Sequence, residues 1–105
     1  MIGDFNSNAI WDRDHPQHSH SELVARFANL GMTSAYHRST GDPQGQERLA
    51  THYFWRKPDR PFHIDHCFLS RSLVDAGFSF TLGAPKQWLG MSDHIPLILD
   101  LLPAV

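Results

Sequence analysis

Phe62-His63-Ile64-Asp65-His66-Cys67-Phe68-Leu69-Ser70 is the stretch on which the fold turns. Aromatic and apolar side chains dominate it, and it reads as a strand across residues 62–70. Alternation puts His63, Asp65 and Cys67 on one face and Ile64, His66 and Phe68 on the other. An ionised carboxylate among such neighbours needs a partner, because it is costly to remove from water alone. A backbone amide or an arginine would satisfy Asp65 as well as a functional partner would. His66, on the opposite face, reads as a packing residue.

Outward from this strand the pattern is mostly β. Residues 1–5, a short piece near 32–36, residues 49–55 and residues 77–83 all read as strands, and His94-Ile95-Pro96-Leu97-Ile98-Leu99-Asp100-Leu101 is as clear as the first. In that last segment Ile95, Leu97, Leu99 and Leu101 share a face that should meet the core. Pro96 cannot donate to a ladder, so the start of the segment should lie outside regular pairing. One main helix is expected over residues 19–30: Ser19 and Glu22 form a capping-box pattern, Leu23, Phe27 and Leu30 share a face, and Gly31 stops it. Long crossovers are scarce after residue 49. The expected fold class is therefore α/β of an α+β type, with a largely antiparallel sheet covered by one or two helices.

The totals are those of one domain. The 105 residues are 41% hydrophobic and 19% charged, which excludes a disordered or low-complexity chain, and the net charge of -2 excludes a general basic field for polyanions. No apolar run reaches the roughly 18 residues of a membrane span, so no transmembrane segment is expected, and the first residues lack the pattern of a signal peptide. Cytoplasmic and secreted locations stay open. Cys67 is the single cysteine, which excludes an intramolecular disulfide framework.

Three polar groups stand out. If residues 2–6 are extended, Asp4 and Asn6 point to one side and Phe5 to the core, although an Asx turn at a strand end explains the same residues. Asp65 is the second. Ser92-Asp93-His94 is the third, an adjacent acid and imidazole that can reach one centre or simply cap a strand. Together they supply carboxylates, an amide and a histidine, an inventory suited to a Mg²⁺ or Mn²⁺ phosphoesterase. They lack the spacing of a structural zinc site.

Gly3-Asp4-Phe5-Asn6, Ile64-Asp65-His66 with Phe68 and Ser70, and Ser92-Asp93-His94-Ile95-Pro96 resemble, in order and approximate spacing, the C-terminal half of the endonuclease/exonuclease/phosphatase family. That family includes DNase I-like nucleases, abasic-site endonucleases, sphingomyelinases and inositol-polyphosphate phosphatases. The run from Asn6-Ser7-Asn8 through Trp11-Asp12, and the His63-Ile64-Asp65 variant, are most similar to bacterial members. The resemblance implies a DNase I-like two-sheet sandwich with a bound Mg²⁺ or Mn²⁺. It implies that Asp4 orients or deprotonates the attacking water and that Asn6 holds that water or the phosphate. It further implies that His94 contacts the scissile phosphate, that Asp65 fixes the His94 ring, and that Asp93 serves the metal. The family's usual tyrosine after the aspartate is His66 here, which leaves the packing around it open.

Family members are about twice as long, and their first half supplies a glutamate metal ligand. Glu22, in the expected helix, and Glu47, in a turn-rich loop, are not expected to replace it. The expectation is thus a C-terminal half, inactive alone, with sheet edges open to self-association. Its substrate would be a phosphoester in nucleic acid, a phospholipid headgroup or a small molecule. Trp11, His63 and Arg56 are candidate substrate contacts, although packing or a polar hairpin accounts for them too. His15, His18 and His20 crowd one loop, so a His-rich metal-binding domain is an alternative, as is a non-catalytic self-associating module. A solvated loop explains the three histidines more simply.

Overall fold

The computed structural model describes residues 1–102. In chain order the strands are β1 (Ile2–Asp4), β2 (Met32–Ser34), β3 (His52–Tyr53), β4 (Pro61–Phe62), β5 (Asp65–Ser70), β6 (Phe78–Leu82) and β7 (Leu97–Leu101). The α-helices are α1 (His20–Asn29), α2 (Ala35–Thr40), α3 (Arg71–Ala76) and α4 (Pro85–Trp88), and two 3₁₀ turns cover Ala9–Asp14 and Phe54–Arg56. This is a mixed α/β domain with antiparallel sheets and several helices. None of its described helices is long and apolar enough to cross a membrane.

β5 is the central strand. β1 pairs antiparallel with its first half, Asp4 opposite Asp65, and β2 pairs antiparallel on its other side, Ser34 opposite Phe68. Asp65 through Leu69 are all buried, as a strand covered on both faces must be. Phe5 extends the contact by packing on Phe27 of α1, on His66 and on Phe68. β6 and β7 form a separate antiparallel ribbon whose Phe78, Phe80, Leu97 and Leu99 pack with Val74 against Ala35, Cys67 and Leu69.

The expected 62–70 strand is in fact broken. Thr51 is fully buried, and its hydroxyl oxygen accepts from both Ile64 N–H and Asp65 N–H at 3.0 Å. Those amides therefore leave the ladder, and residues 63 and 64 lie between β4 and β5. The alternation fails there: His63 faces Tyr36 and His66, with ring centroids at 4.4 and 5.3 Å, rather than sharing a side with Asp65. Backbone bonds of Thr51 reach Phe62 O at 2.9 Å and Ile95 N–H at 2.7 Å, so one residue ties three segments together.

Other boundaries shift for local reasons. Only His52 and Tyr53 of the expected 49–55 strand pair, because Trp55 and Arg56 take φ of 58° and 55°, which ends extension. The expected 32–36 strand stops at Ser34, whose Oγ caps α2, a helix the apolar pattern did not reveal. α1 begins as expected, Ser19 Oγ accepting from Glu22 N–H at 3.1 Å, but the Glu22 carboxylate turns to Arg26 instead of completing a capping box. Leu30 is 75% exposed because it sits at the helix end, where Gly31 at φ 77° diverts the chain. Pro96 lies outside the β7 ladder as expected, while Leu101 is exposed because the core extends only to Leu97 and Leu99.

Histidines fill much of the interior between α1, α2 and β5. His66 is 1% exposed, its Nε2–H donates to Ser7 O at 2.9 Å, and burial pushes its pKa down to about 4. His20 and His63 are buried with pKa values also lowered by desolvation. Glu47 is displaced the other way in charge: burial alone would raise it, but hydrogen bonds from His37, Asn8 and Gly45 hold it at about 2.

Two expectations follow from this core. Thr51→Val removes the one acceptor of two buried amides, so urea denaturation should show a loss of about 2–4 kcal/mol. A His66 pKa depressed in the folded state means that the unfolded chain binds the extra proton first as pH falls below 6.5. Stability from His66 is therefore complete above about pH 6.5 and lost on descent toward pH 4, on the order of 3 kcal/mol. Urea midpoints measured across that window should fall, and His66→Phe should flatten the slope.

Candidate functional site

His94 lies at the entrance to the β6–β7 ribbon, where Ile95 N–H is bound by Thr51 and His52 bridges to His94. Its Nδ1 is 2.9 Å from Asp65 Oδ2. Asp65 is buried, whereas His94 is about one third exposed. The Nε2 edge faces outward between two more carboxylates, 3.7 Å from Asp4 Oδ2 and 4.0 Å from Asp93 Oδ1. Asp4, Asp65, Asp93 and His94, all singled out in the sequence, thus converge from β1, β5 and the loop before β7.

The electrostatics follow from that geometry. Burial alone would lower the His94 pKa; the Asp65 hydrogen bond and the charges of Asp65, Asp4 and Asp93 outweigh it and hold the ring above the ordinary imidazole value. His94 therefore favours its charged form, with Nδ1–H given to Asp65 and Nε2–H left for a ligand. A raised folded pKa contributes stability that is present below the unfolded value and lost as pH rises through the folded one.

Asp4 and Asp93 are about half exposed, and each brings a carboxylate to His94 Nε2. Hard oxygen donors of this kind fit Mg²⁺ or Mn²⁺, which are commonly held by one or two carboxylates together with substrate phosphate. Two groups, Asp4-Asp65-His94 and His52-Asp93-His94, have ligand atoms within 4.8 Å of one another. His52 was not foreseen. Its Nε2 lies 3.3 Å from Asp93 Oδ2, and its signal was hidden within a segment that read as an ordinary strand.

Asn6 stands differently. β1 ends at Asp4, Asn6 takes φ of 50°, and Asp4 Oδ1 accepts Asn6 N–H at 2.8 Å, so an Asx turn closes the strand and residues 2–6 are not uniformly extended. Arg56 donates to Gly90 O at 3.3 Å and lines, with Trp55, Met91 and Asp93, an open hollow of about 470 Å³ beside the cluster. Trp11 packs on Phe62 at 5.5 Å. His63 is held inside by Leu49 O, at 2.8 Å from its Nδ1.

The crowded loop histidines separate. His15 and His18 are exposed, whereas His20 is buried with Nδ1 at 2.7 Å from Ser7 Oγ and Nε2 at 3.1 Å from Gln44 Oε1. Glu47 lies with His37 and His63, not beside His94. No protein-family model, no curated protein and no solved structure matches the chain.

The His94–Asp65 pair is open to direct measurement. Imidazole NMR titration should place His94 above a typical histidine in the wild type, and Asp65→Asn should move it downward. An unmoved titration would remove Asp65 as the group that charges the ring.

Proposed function

We propose that this chain carries the catalytic residues of a divalent-metal-dependent phosphoesterase, related to the endonuclease/exonuclease/phosphatase family and built on part of a DNase I-like two-sheet sandwich. The observation that carries this reading is His94, held at Nδ1 by Asp65 and opening its Nε2 edge between Asp4 and Asp93. A phosphate ester brings negative oxygens that need such a donor.

In this reading, His94 Nε2–H donates to a phosphoryl oxygen, and Asp65 keeps the ring charged and aimed. Asp4 accepts a proton from, and orients, the water that attacks in line. Asp93, with Asp4, would hold Mg²⁺ or Mn²⁺, which supplies charge neutralisation at the phosphate. Arg56 and Trp55, across the hollow beside Asp93, would meet the rest of the substrate by charge and stacking. Nucleic acid, a phospholipid headgroup and a small phosphoester all fit these demands, so the substrate class stays at phosphoester.

The edges beside the site favour further pairing. β1 and β7 each pair on one side alone among the described residues, and an apolar hollow of about 530 Å³ lined by Ile2, Trp88, Ile95, Pro96 and Leu97 reaches His94. Strands from a second half-domain or from another copy of the chain would cover Ile2, which is 51% exposed.

The test is hydrolysis of bis-p-nitrophenyl phosphate with Mn²⁺ or Mg²⁺, alongside light scattering on the same sample. His94→Ala and Asp4→Ala should each cut turnover by about 100-fold or more. Equal rates in wild type and both variants would sink the mechanism. If the chain does not turn over, Mn²⁺ should still broaden the Asp93 and His94 resonances, and no broadening at either residue would reject the site as a metal-assisted one.

A further inference from the structure

A second imidazole–carboxylate cluster shares no residue with the first. His37 on α2, Glu47 in the loop after α2 and His63 before β5 each offer a ligand atom, all within 4.8 Å of one another. It is interior: the side chains of His37 and Glu47 are 10% and 3% exposed, and His63 is buried.

The ring protons are set by the neighbours. Leu49 O can only accept, so His63 Nδ1 carries the proton and Nε2 holds a bare lone pair. That Nε2 is buried and has no hydrogen-bond partner among the described residues. A buried orphan of this kind is uncommon and costs stability unless something fills the place opposite it. The Glu47 carboxylate is also interior, with Oε2 at 2.6 Å from His37 Nε2 and accepting from Gly45 N–H at 3.0 Å, and with Oε1 at 3.0 Å from Asn8 Nδ2. A buried carboxylate and a free imidazole lone pair at one point suit a cation.

We propose that His37, Glu47 and His63 bind a divalent transition-metal ion of the zinc class. Two imidazoles and one carboxylate form a donor set that zinc accepts with a fourth position left for water or a small ligand, whereas Mg²⁺ prefers oxygen throughout. The supports behind the ligands are in place. His63 Nδ1–H donates to Leu49 O, Glu47 Oε1 is held by Asn8, and His37 Nδ1 is 2.5 Å from Ser34 Oγ. Binding through His37 Nε2 moves that ring's proton to Nδ1, from which it donates to Ser34 Oγ in place of accepting from Gln44 Nε2 at 3.3 Å. A hollow of about 280 Å³ beside the cluster is lined by Asn8, Arg48, Tyr53 and Phe62 together with Glu47 and His63. The ion would fasten α2, its following loop and the segment before β5 to one another.

The test begins with the intact chain stripped by a chelator and titrated with Zn²⁺ against a chromophoric competitor. One equivalent should bind tightly, and Co²⁺ in its place should give visible d–d bands. Glu47→Gln and His63→Gln should each weaken Zn²⁺ binding at least about tenfold, while His15→Ala and His18→Ala leave it unchanged. Should either ligand variant fail to fold, the imidazole nitrogens of wild-type His37 and His63 must still shift on adding Zn²⁺. Absence of a tight equivalent, equal affinity in folded ligand variants, or unmoved His37 and His63 nitrogens would each overturn the site.

Discussion

The hydroxyl of Thr51 is the contact on which most of this structure depends. It accepts from Ile64 and Asp65 while the Thr51 backbone bonds Phe62 and Ile95, so the segments entering β5 and β7 are fixed to one buried point. Asp65 and His94 meet because of it, although 29 residues separate them. The same two bonds interrupt the strand and turn His63 inward toward Tyr36, His37 and His66. Each such hydrogen bond contributes only about 1 kcal/mol net, yet leaving the amides buried without it costs more.

The break separates two uses of histidine. On the open side, His94 is surrounded by carboxylates and favours its charged form, able to give a proton-bearing nitrogen to an anion. On the closed side, His66 and His63 lose water without gaining a carboxylate hydrogen bond, so desolvation dominates and they stay neutral. A neutral imidazole is a metal ligand and a packing group; a charged one is a phosphate donor. One side-chain type is thus shifted in opposite directions by its environment alone.

Most of the candidate site was legible as residue types, and part of it as geometry. Asp65 is a carboxylate inside an apolar strand, where burial demands a partner, Asp4 ends β1, and Asp93 with His94 precedes β7; the four do converge. Of the two readings open for Asp4 and Asn6, the structure takes the Asx turn, because β1 ends at Asp4 and Asn6 adopts a positive φ. Thr51 and His52 were passed over because a threonine and a histidine in a strand-like run carry no local mark of a distant hydrogen bond. Glu47 looked like a loop residue, and only the fold of Tyr36 onto Asp42, with Arg48 beside it, carries its loop back onto α2.

What the sequence by itself determined is what short-range rules govern: strand character within residues 62–70 and 94–101, the Ser19 cap of α1, the exclusion of Pro96 from a ladder, and an Asp65 that could not be buried unpaired. Tertiary structure alone decided which of those strands stayed continuous, which face His63 took, and which of the eight histidines met a carboxylate. The physical reason is range. Periodicity and capping depend on neighbours a few residues away, whereas a hydrogen bond such as Thr51 to Asp65, or a pair such as His94 with Asp65, exists only after the chain has closed loops whose contents the local pattern does not encode.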